Sequence, residues 1–587
     1  MSLFGILSLG SQALLTGKRS IDITSENISN QYSDDYSRQL IHQEDLVPTG
    51  VNITDIERAF DISLFSRIVS VKQQVSQGQT YSDILSQIEA LFNDIHGSGF
   101  GEKITEFFNA FNDIAINPDD ISARDKVISV AKQLVGRIRD IYNNLISIKS
   151  ETELAIKDNI QKVNDILTAL AKTNENIKAF SEDKIRLNNY LNQRDRLLRN
   201  LSEILDIKVK FKPDNTVEVV SVKGHPLVLY DKASILTTKQ ENGELKVLIN
   251  GANLTNFFQY GKIGAQLQAI KFINQKLDDL NDFTTVFSAS INKIHRNGYD
   301  LNGNTGINFF KISADSSKTY IDASNIDLNI TDPKQVAAAA SNSYLNSDNT
   351  VIKGIIALKD FNENTIKQSN TAVASTSTFG GGSFDIYLNN QKITTINYGV
   401  ADTITDIANT INSSQDLIVA NVYEYPNGSG NYYLELYAKD ISKSGSIKLK
   451  DDTGNFVATI GGISDKNGIF NNAEETALTT GTLTIGNINY SLVNTDNYSL
   501  VKNKSFSEAY NKRFIVDIGF KIETTKDNLE NNTTFLNSLE DKLSQISSVN
   551  LDEELTNMLK YQRAYQSAAK IISITDELLQ TILGLVK

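Results

Sequence analysis

The chain has 587 residues, too long for a single hydrophobic core, so several domains are expected. Its 57 basic residues stand against 70 acidic ones, a net charge of −13 that counts against nucleic acid and anionic membrane surfaces as partners. Cysteine is absent, which removes disulfides, thiolate metal sites and cysteine nucleophiles together.

The opening "MSLFGILSLGSQALLTGKRSIDITSENISN" sets Leu7, Leu14, Ile21 and Ile28 at seven-residue spacing, with Leu3, Gly10, Gly17 and Thr24 as a second, mostly small ridge. The pattern predicts a helix whose small ridge admits a close partner while the larger ridge fills that partner's grooves. It does not read as a cleaved secretory signal. No Lys or Arg precedes the apolar part, Ser and Gly interrupt it, and no clear small-residue cleavage site follows. No segment approaches the ~20 apolar residues of a membrane-spanning helix.

Residues 31–60 read as extended and loop-like, giving an N-terminal region of coiled-coil helix plus linker over 1–60. Residues 61–206 read as helical. Periodicity runs from Leu64 to about Ile95, and a glycine-broken turn, "HGSGFGEK", leads to a helix with Ile104, Phe107, Phe108 and Phe111 on one face. Pro118 stops the chain, Asp120 restarts it, and long helices are expected to Asp206 with one break near Ser181. Residues 207–370 read as a mixed β domain containing a helix over 261–296, because β-branched runs alternate with Pro-Asp-Asn and Gly-His-Pro turns. Residues 371–504 form a β-rich insert, in which Tyr433, Glu435 and Tyr437 alternate with Leu434, Leu436 and Ala438. Helical periodicity resumes over 505–548.

The tail, "NLDEELTNMLKYQRAYQSAAKIISITDELLQTILGLVK", places Leu551, Leu555, Met558, Tyr565, Ala569, Ile572, Leu579, Leu583 and Val586 in steps of three and four, with Gln562 and Asp576 filling the gaps. This is the seam of an amphipathic helix over 549–587, with Asn550 as N-cap and Asp552, Glu553 and Glu554 where the helix dipole favours negative charge. The predicted class is α+β multidomain: a discontinuous long-helix stalk formed by the N- and C-terminal regions, with β-rich domains inserted mid-chain. The candidate assembly interface is Leu3, Leu7, Leu14, Ile21, Ile28, Leu551, Leu555, Met558, Tyr565, Ala569, Ile572, Leu579 and Leu583.

Candidate chemistry is thin. The four histidines, His42, His96, His225 and His295, are far apart and show no metal-binding spacing. "GSGFG" at 97–101 follows no predicted strand and lacks dinucleotide spacing. In "DLNGNTG", Asp300, Asn302 and Asn304 alternate as in a calcium loop, but Thr305 and Lys311 stand where glycine and a bidentate acid are required. No catalytic constellation, metal or cofactor is expected, and the chain does not read as an enzyme.

The segment "NLDEELTNMLKYQRAYQSAAKIISITDELLQTIL" closely resembles the C-terminal segment shared by the flagellar axial proteins (rod, hook and hook-associated proteins). "SQALLTGKRSIDITSENISN" followed by "YSRQ" resembles their N-terminal segment. One departure stands out: Ser33, Asp34, Asp35 and Tyr36 occupy a place where the family has a Thr-Pro-Gly-Tyr-like turn. A longer resemblance, to the hook-associated branch, runs through "GSGFGEKITEFFNAFNDIAINPDDISARDKVI", "LNQRDRLLRNLSEIL", "NKIHRNGYDLNGNTGINFF" and "NSDNTVIKGIIALKD". Residues 380–450 instead resemble the small β module repeated in flagellins and filament-cap proteins. The resemblance implies a structural subunit of the hook–filament junction, exported unfolded and uncleaved by the flagellar type III apparatus and located outside the cell. Implied partners are further copies of the chain in a ring-like or helical layer, hook protein, hook-associated protein 3 and an export chaperone on the C-terminal helix. The rival readings are another axial protein, or a secreted adhesin or enzyme carried through the insert. A metalloprotease insert is disfavoured because residues 371–504 contain no histidine.

Overall fold

The computed structural model describes residues 2–33, 35–46, 50–92, 99–241, 243–318, 321–340, 342–359, 367–388, 391–424, 430–438, 447–465, 483–485, 488–490 and 506–585. It is a mixed α+β, multidomain fold, and among the described residues no helix is long and apolar enough to cross a membrane. The chain divides into two compact units. Unit 1 comprises residues 1–84, 151–270 and 523–587, and unit 2 residues 85–150 and 271–522.

In chain order, helix α1 (Leu3–Ser29) leads to the antiparallel hairpin β1 (Gln39–Leu46) and β2 (Gly50–Arg58), then to α2 (Ile62–Phe92), α3 (Phe100–Ile116), α4 (Ile121–Ala179) and α5 (Lys184–Ile204). The stretch 31–60 is thus extended, as its sequence indicates, but much of it is paired. Local chemistry sets the helix starts. Asp61, Asp120 and Asp183 each accept backbone N–H bonds from the first turn they precede, at 2.8–3.2 Å, which satisfies donors a helix terminus otherwise leaves open. The break between α4 and α5 falls at 180–183.

Seven strands follow. A four-stranded sheet holds β3 (Ile207–Phe211), β4 (Val217–Ser221), β5 (Pro226–Leu229) and β6 (Lys232–Ala233). A three-stranded sheet holds β7 (Leu236–Glu241), β8 (Glu244–Ile249) and β9 (Ala252–Asn253). Helix α6 (Gly261–Arg296) comes next, then β10 (Phe310–Ile312), β11 (Ile326–Leu328) and α7 (Thr350–Ala357).

The β-rich segment contains β12 (Lys367–Ser369), β13 (Val373–Ala374), β14 (Gly382–Leu388), β15 (Gln391–Tyr398), α8 (Ile404–Ser414), β16 (Ile418–Glu424), β17 (Asn431–Ala438), β18 (Lys448–Thr453), α9 (Phe456–Thr459) and β19 (Ile463–Asp465). One sheet runs β15-β14-β18. A second runs β13-β17-β12-β19, with β16 also paired to β17. The chain ends with α10 (Phe506–Tyr510), a π-helical turn at Asn511–Val516, α11 (Asp517–Ser547) and α12 (Leu551–Leu585).

Each unit has its own core chemistry. In unit 1, aliphatic side chains of α2, α4, α5 and α11 (Ile68, Leu167, Leu201, Leu539) pack with the sheet residues Val219, Val228 and Val247. Unit 2 centres on phenylalanines: Phe107, Phe283, Phe287, Phe310 and Phe506 lie edge to face, tilted or stacked at ring separations of 5.2–6.1 Å. The β-rich segment of unit 2 adds a cluster built on Phe384, Ile396, Ile407, Leu436 and Phe456. There the alternation read from the sequence is visible, with Leu434, Leu436 and Ala438 buried.

Candidate assembly site: the terminal helix pair

Helices α1 and α12 pack against each other antiparallel within unit 1: Gly10 meets Ile572, Gly17 meets Tyr565, and Asn27 reaches Glu554. Their starts are capped. The Ser2 hydroxyl accepts from Gly5 N at 3.2 Å, and Asn550 Oδ1 accepts from Asp552 N at 3.1 Å. The small ridge of α1 makes the contact. A Cβ built on Gly10 would lie 2.8 Å from Ile572 Cγ1, and one on Gly17 would lie 3.4 Å from Tyr565 Cα, so the backbones approach as closely as only small residues permit. Gly10, Gly17, Ser20, Ile23, Thr24 and Asn27 are buried. Buried hydroxyls are satisfied within their own helices, Thr24 donating to Ser20 O at 2.8 Å and Thr575 to Ile571 O at 2.7 Å.

The expected interface residues divide. Leu3, Leu7, Leu14, Ile21 and Ile28 on α1, and Met558, Tyr565, Ala569, Ile572 and Leu579 on α12, are half-buried. Leu551 and Leu555 are exposed, and the side chain of Leu583 lies outside the described residues, as does Val586. The most buried positions of α12 are Glu554, Ala568 and Thr575. An apolar-seam template passes over these, because one is charged and two are small. Further apolar positions were missed: besides Leu551 and Leu555, Leu559, Ile571, Ile574, Leu578 and Ile582 are 40–58% exposed along the same helix. The signal was present in the sequence, where α12 carries apolar residues at helical spacing on more than one face.

The hairpin β1–β2 covers another side of α1. Gln12 Nε2 donates to Asn52 Oδ1 (3.0 Å), the Thr16 hydroxyl to Val51 O (3.0 Å) and Gln43 Nε2 to the Ser20 hydroxyl (3.1 Å). At the base of the pair a polar clasp joins three segments. Arg38 donates through Nε to Glu554 Oε1 (2.8 Å) and through Nη2 to Glu553 Oε1 (2.6 Å), while its backbone N–H bonds Ser547 O (2.9 Å). Asn27 Nδ2 donates to the other Glu554 oxygen at 3.2 Å, and Asn27 Oδ1 accepts from the Tyr36 hydroxyl (2.7 Å) and Gln39 N (2.9 Å). Arg38 holds the Glu553 carboxyl below the usual range. Burial pushes the Tyr36 phenol up, so it remains a donor. Tyr36 belongs to the stretch that departs from the family turn. Its backbone N–H bonds Ser33 O at 3.0 Å, so a turn closes there, with Asp34 outside the described residues.

The other sequence candidates do not converge. His295 is fully buried, its Nε2 accepting from Ala337 N at 2.8 Å with Nδ1 against Ile307 O at 2.8 Å, and His96 lies outside the described residues. Asp300 Oδ1 accepts from Asn302 N and Asn304 N, both at 2.8 Å, which makes "DLNGNTG" a turn closed on its own carboxylate. Among the described residues no group of His, Cys, Asp and Glu is placed to hold a metal ion.

Comparison with known proteins gives a consistent neighbourhood. Residues 85–310 match the family of the flagellar hook-associated protein FlgK helical domain, and residues 544–585 match the flagellar basal body rod FlgEFG protein C-terminal family. Flagellar hook-associated protein 1 of Bacillus subtilis (strain 168) is 24% identical over 356 residues, covering 53% of this chain and 70% of its own length. Flagellar hook-associated protein 1 of Salmonella typhimurium is 22% identical over 598 residues, covering 97% of this chain and 98% of its own. The flagellar hook junction protein FlgK from Burkholderia pseudomallei superposes with a TM-score of 0.50 at 15% identity, over 81% of this chain and 99% of that one, a likeness of fold.

Proposed function

The chain belongs to the flagellar hook-associated protein 1 family, and from that premise we propose that it is a structural subunit joining hook to filament in the bacterial flagellum. One observation carries the reading. The terminal helices pair through a small-residue ridge, yet the pair leaves two apolar patches of α12 exposed among the described residues, Leu551, Leu555 and Leu559 near its start and Ile571, Ile574, Leu578 and Ile582 near its end. Exposed apolar side chains three and four residues apart on a helix are what further helices of a layered assembly would cover. Each Leu or Ile so covered contributes about 1.5–3 kcal/mol. The rod-family match falls on this same helix.

Its partners are further copies of itself in a ring-like or helical layer, hook protein on one side and hook-associated protein 3 on the other. An export chaperone covers the apolar tail beforehand, and the chain leaves the cell uncleaved through the flagellar export apparatus. It works by packing rather than by catalysis.

Leu555→Asp and Leu578→Asp test the reading. Each puts a charge on one of the exposed patches and away from the close α1 contact, so the free chain should melt as the wild type does. A carboxylate buried without a partner at every subunit contact is costly, so neither variant should support filament growth. Labelled wild-type protein should appear as a band between hook and filament. Normal filaments from both variants, or label spread along the filament, would show the patches to be mis-assigned.

A further inference from the structure

Unit 2 contains a buried charge cluster that the assembly reading does not use, and it surrounds an irregular turn. Between α10 and α11 the Asp517 N–H bonds Lys512 O, five residues back, which makes Asn511–Val516 π-helical. Such turns are rare, and the contacts that hold one in place are identifiable. Here the holder is Lys276 of α6, a fully buried ammonium. It donates to Arg513 O at 2.7 Å, to Asp517 Oδ2 at 2.5 Å and to Asp279 Oδ2 at 2.9 Å. Arg513, inside the turn and itself buried, donates through Nη1 to Asp279 Oδ1.

The two cations Lys276 and Arg513 are balanced by the carboxylates of Asp279 and Asp517. Asp282 is the odd member. It stands one turn along α6 from Asp279, and its Oδ2 has no hydrogen-bond partner among the described residues. The charged groups that act on it are Arg513 from the turn and Asp279 and Asp278 from its own helix, while Lys149 of α4 acts on Asp278. Burial outweighs them and pushes the Asp282 carboxyl up to about 8. Once ionised, it is a third carboxylate facing two cations. One of the three has a way out, because the Asp517 side chain is 44% exposed, against 3% for Asp279.

We propose that Asp282 is a proton-operated latch on the π-helical turn. While Asp282 is neutral, Lys276 bridges Arg513 O and Asp517, and the turn is held. When Asp282 gives its proton to water, the Arg513 guanidinium swings to it from Asp279. Lys276 then remains as the counter-ion of Asp279, and Asp517 turns to solvent, where its charge is hydrated. The turn loses one arm of its clamp. Ile515 and Val516, 39% and 61% exposed on that turn, change their surroundings with it.

The test uses the full chain. It contains no tryptophan, so Val516→Trp places a single reporter on the turn. The emission of that variant is expected to shift between about pH 6 and about 9.5, below the range where tyrosine ionises. Its midpoint should lie at about 8, with the far-ultraviolet circular dichroism constant throughout. Adding Asp282→Asn should abolish the shift. Adding Asp517→Asn instead removes the competing carboxylate and leaves both cations to Asp279 and Asp282, so the midpoint should fall by about one pH unit. Asp517 is partly exposed, so this second variant decides the matter even if Asp282→Asn does not fold. Emission that is flat over this range, or that shifts equally with Asp282→Asn, overturns the latch. So does a midpoint that Asp517→Asn leaves in place or raises, and so does a shift accompanied by loss of circular dichroism, which is unfolding. All of these measurements use the unassembled chain, so their outcome does not depend on the junction reading.

Discussion

Asp282 is 4% exposed, and its Oδ2 has no hydrogen-bond partner among the described residues. Burial pushes its carboxyl up to about 8, the Arg513 guanidinium pulls it back, and Asp279 and Asp278 add to the rise. Lys276 and Arg513 are already committed to Asp279, and Lys276 also to Asp517 at 2.5 Å, so Asp282 is held as the neutral acid. A carboxyl raised on folding stabilises most below its unfolded value of ~3.9, and that contribution is lost as pH climbs through the folded value. Fully buried His295 works the other way. Desolvation takes it down to about 4, so its contribution is present above ~6.5 and lost as pH falls through the folded value. The two slopes oppose each other in mildly acidic solution, and Asp282 acts alone from ~6.5 up to about 8. The urea midpoint should therefore fall over that upper interval. Asp282→Asn should flatten the fall and, with the opposing slope gone, steepen the rise that His295 gives in mildly acidic solution, and an equal fall in the variant would assign it elsewhere. A glycine pair gives a second residue-scale expectation. Gly17→Ala adds a Cβ at an ordinary 3.4 Å and gains up to ~1 kcal/mol of helix propensity, so amide exchange across α1 should slow. Gly10→Ala places its Cβ 2.8 Å from the stiff Ile572, which must move, so exchange should quicken. Equal effects of the two would show that the small ridge does not set the helix separation. The small ridge was legible because glycine spacing is read directly from the sequence. The pairing of Arg58 with Asp195 was not, since the two meet only through the fold.

At the scale of elements, the clasp decides how α1 and α12 are held. Glu554 is 2% exposed and its carboxylate draws on Arg38 and Asn27 among the described residues, so Arg38→Ala leaves a buried carboxylate half-satisfied, at roughly 3–5 kcal/mol. Amide exchange in the first turns of α12 and the last turns of α1 should accelerate by orders of magnitude, with the phenylalanine core of unit 2 unaffected. Replacing both members with apolar residues, Arg38→Met with Glu554→Leu, should restore much of the protection, because the desolvation cost disappears with the charge. If the double variant were as loose as the single one, the clasp would have to act through geometry rather than charge. The sequence located Asn550 as cap and the acidic first turn, but assigned Glu553 and Glu554 to the helix dipole alone. Their partner stands more than 500 residues away, at a separation that local pattern does not reach. The long helices α4 and α5 and the break between them were legible because Pro118, Asp120 and Asp183 act on their immediate neighbours. The hairpin β1–β2 was not read as a pair: its strands are largely polar, and its register carries a bulge between His42 and Gln43.

For the molecule as a whole, the β-rich segment presents itself as a module with its own apolar cluster and its own sheets, and it starts before residue 371, because β12 (Lys367–Ser369) lies between β17 and β19. Such a module is expected to be removable, with a short Gly/Ser linker in its place, while unit 1 and the terminal pair stay folded. One contact makes the removal harder. Lys293, near the end of α6, donates to Glu435 of β17 at 2.5 Å, with side chains 5% and 8% exposed. Deleting the segment removes the carboxylate that neutralises a buried ammonium. Breaking one side of a buried pair costs roughly 3–5 kcal/mol, a large share of the 5–15 kcal/mol that holds a typical domain folded. The simple deletion is therefore expected to lower the melting temperature of unit 2 and to reduce the yield of exported protein. Adding Lys293→Met should recover most of the loss, since an apolar chain of similar length needs no counter-charge. Flagella assembled from the rescued deletion should then carry filaments, because the terminal helices that the junction reading requires are untouched. Absence of filaments, with the rescued protein stable and secreted, would show that the β-rich segment itself contacts neighbouring subunits.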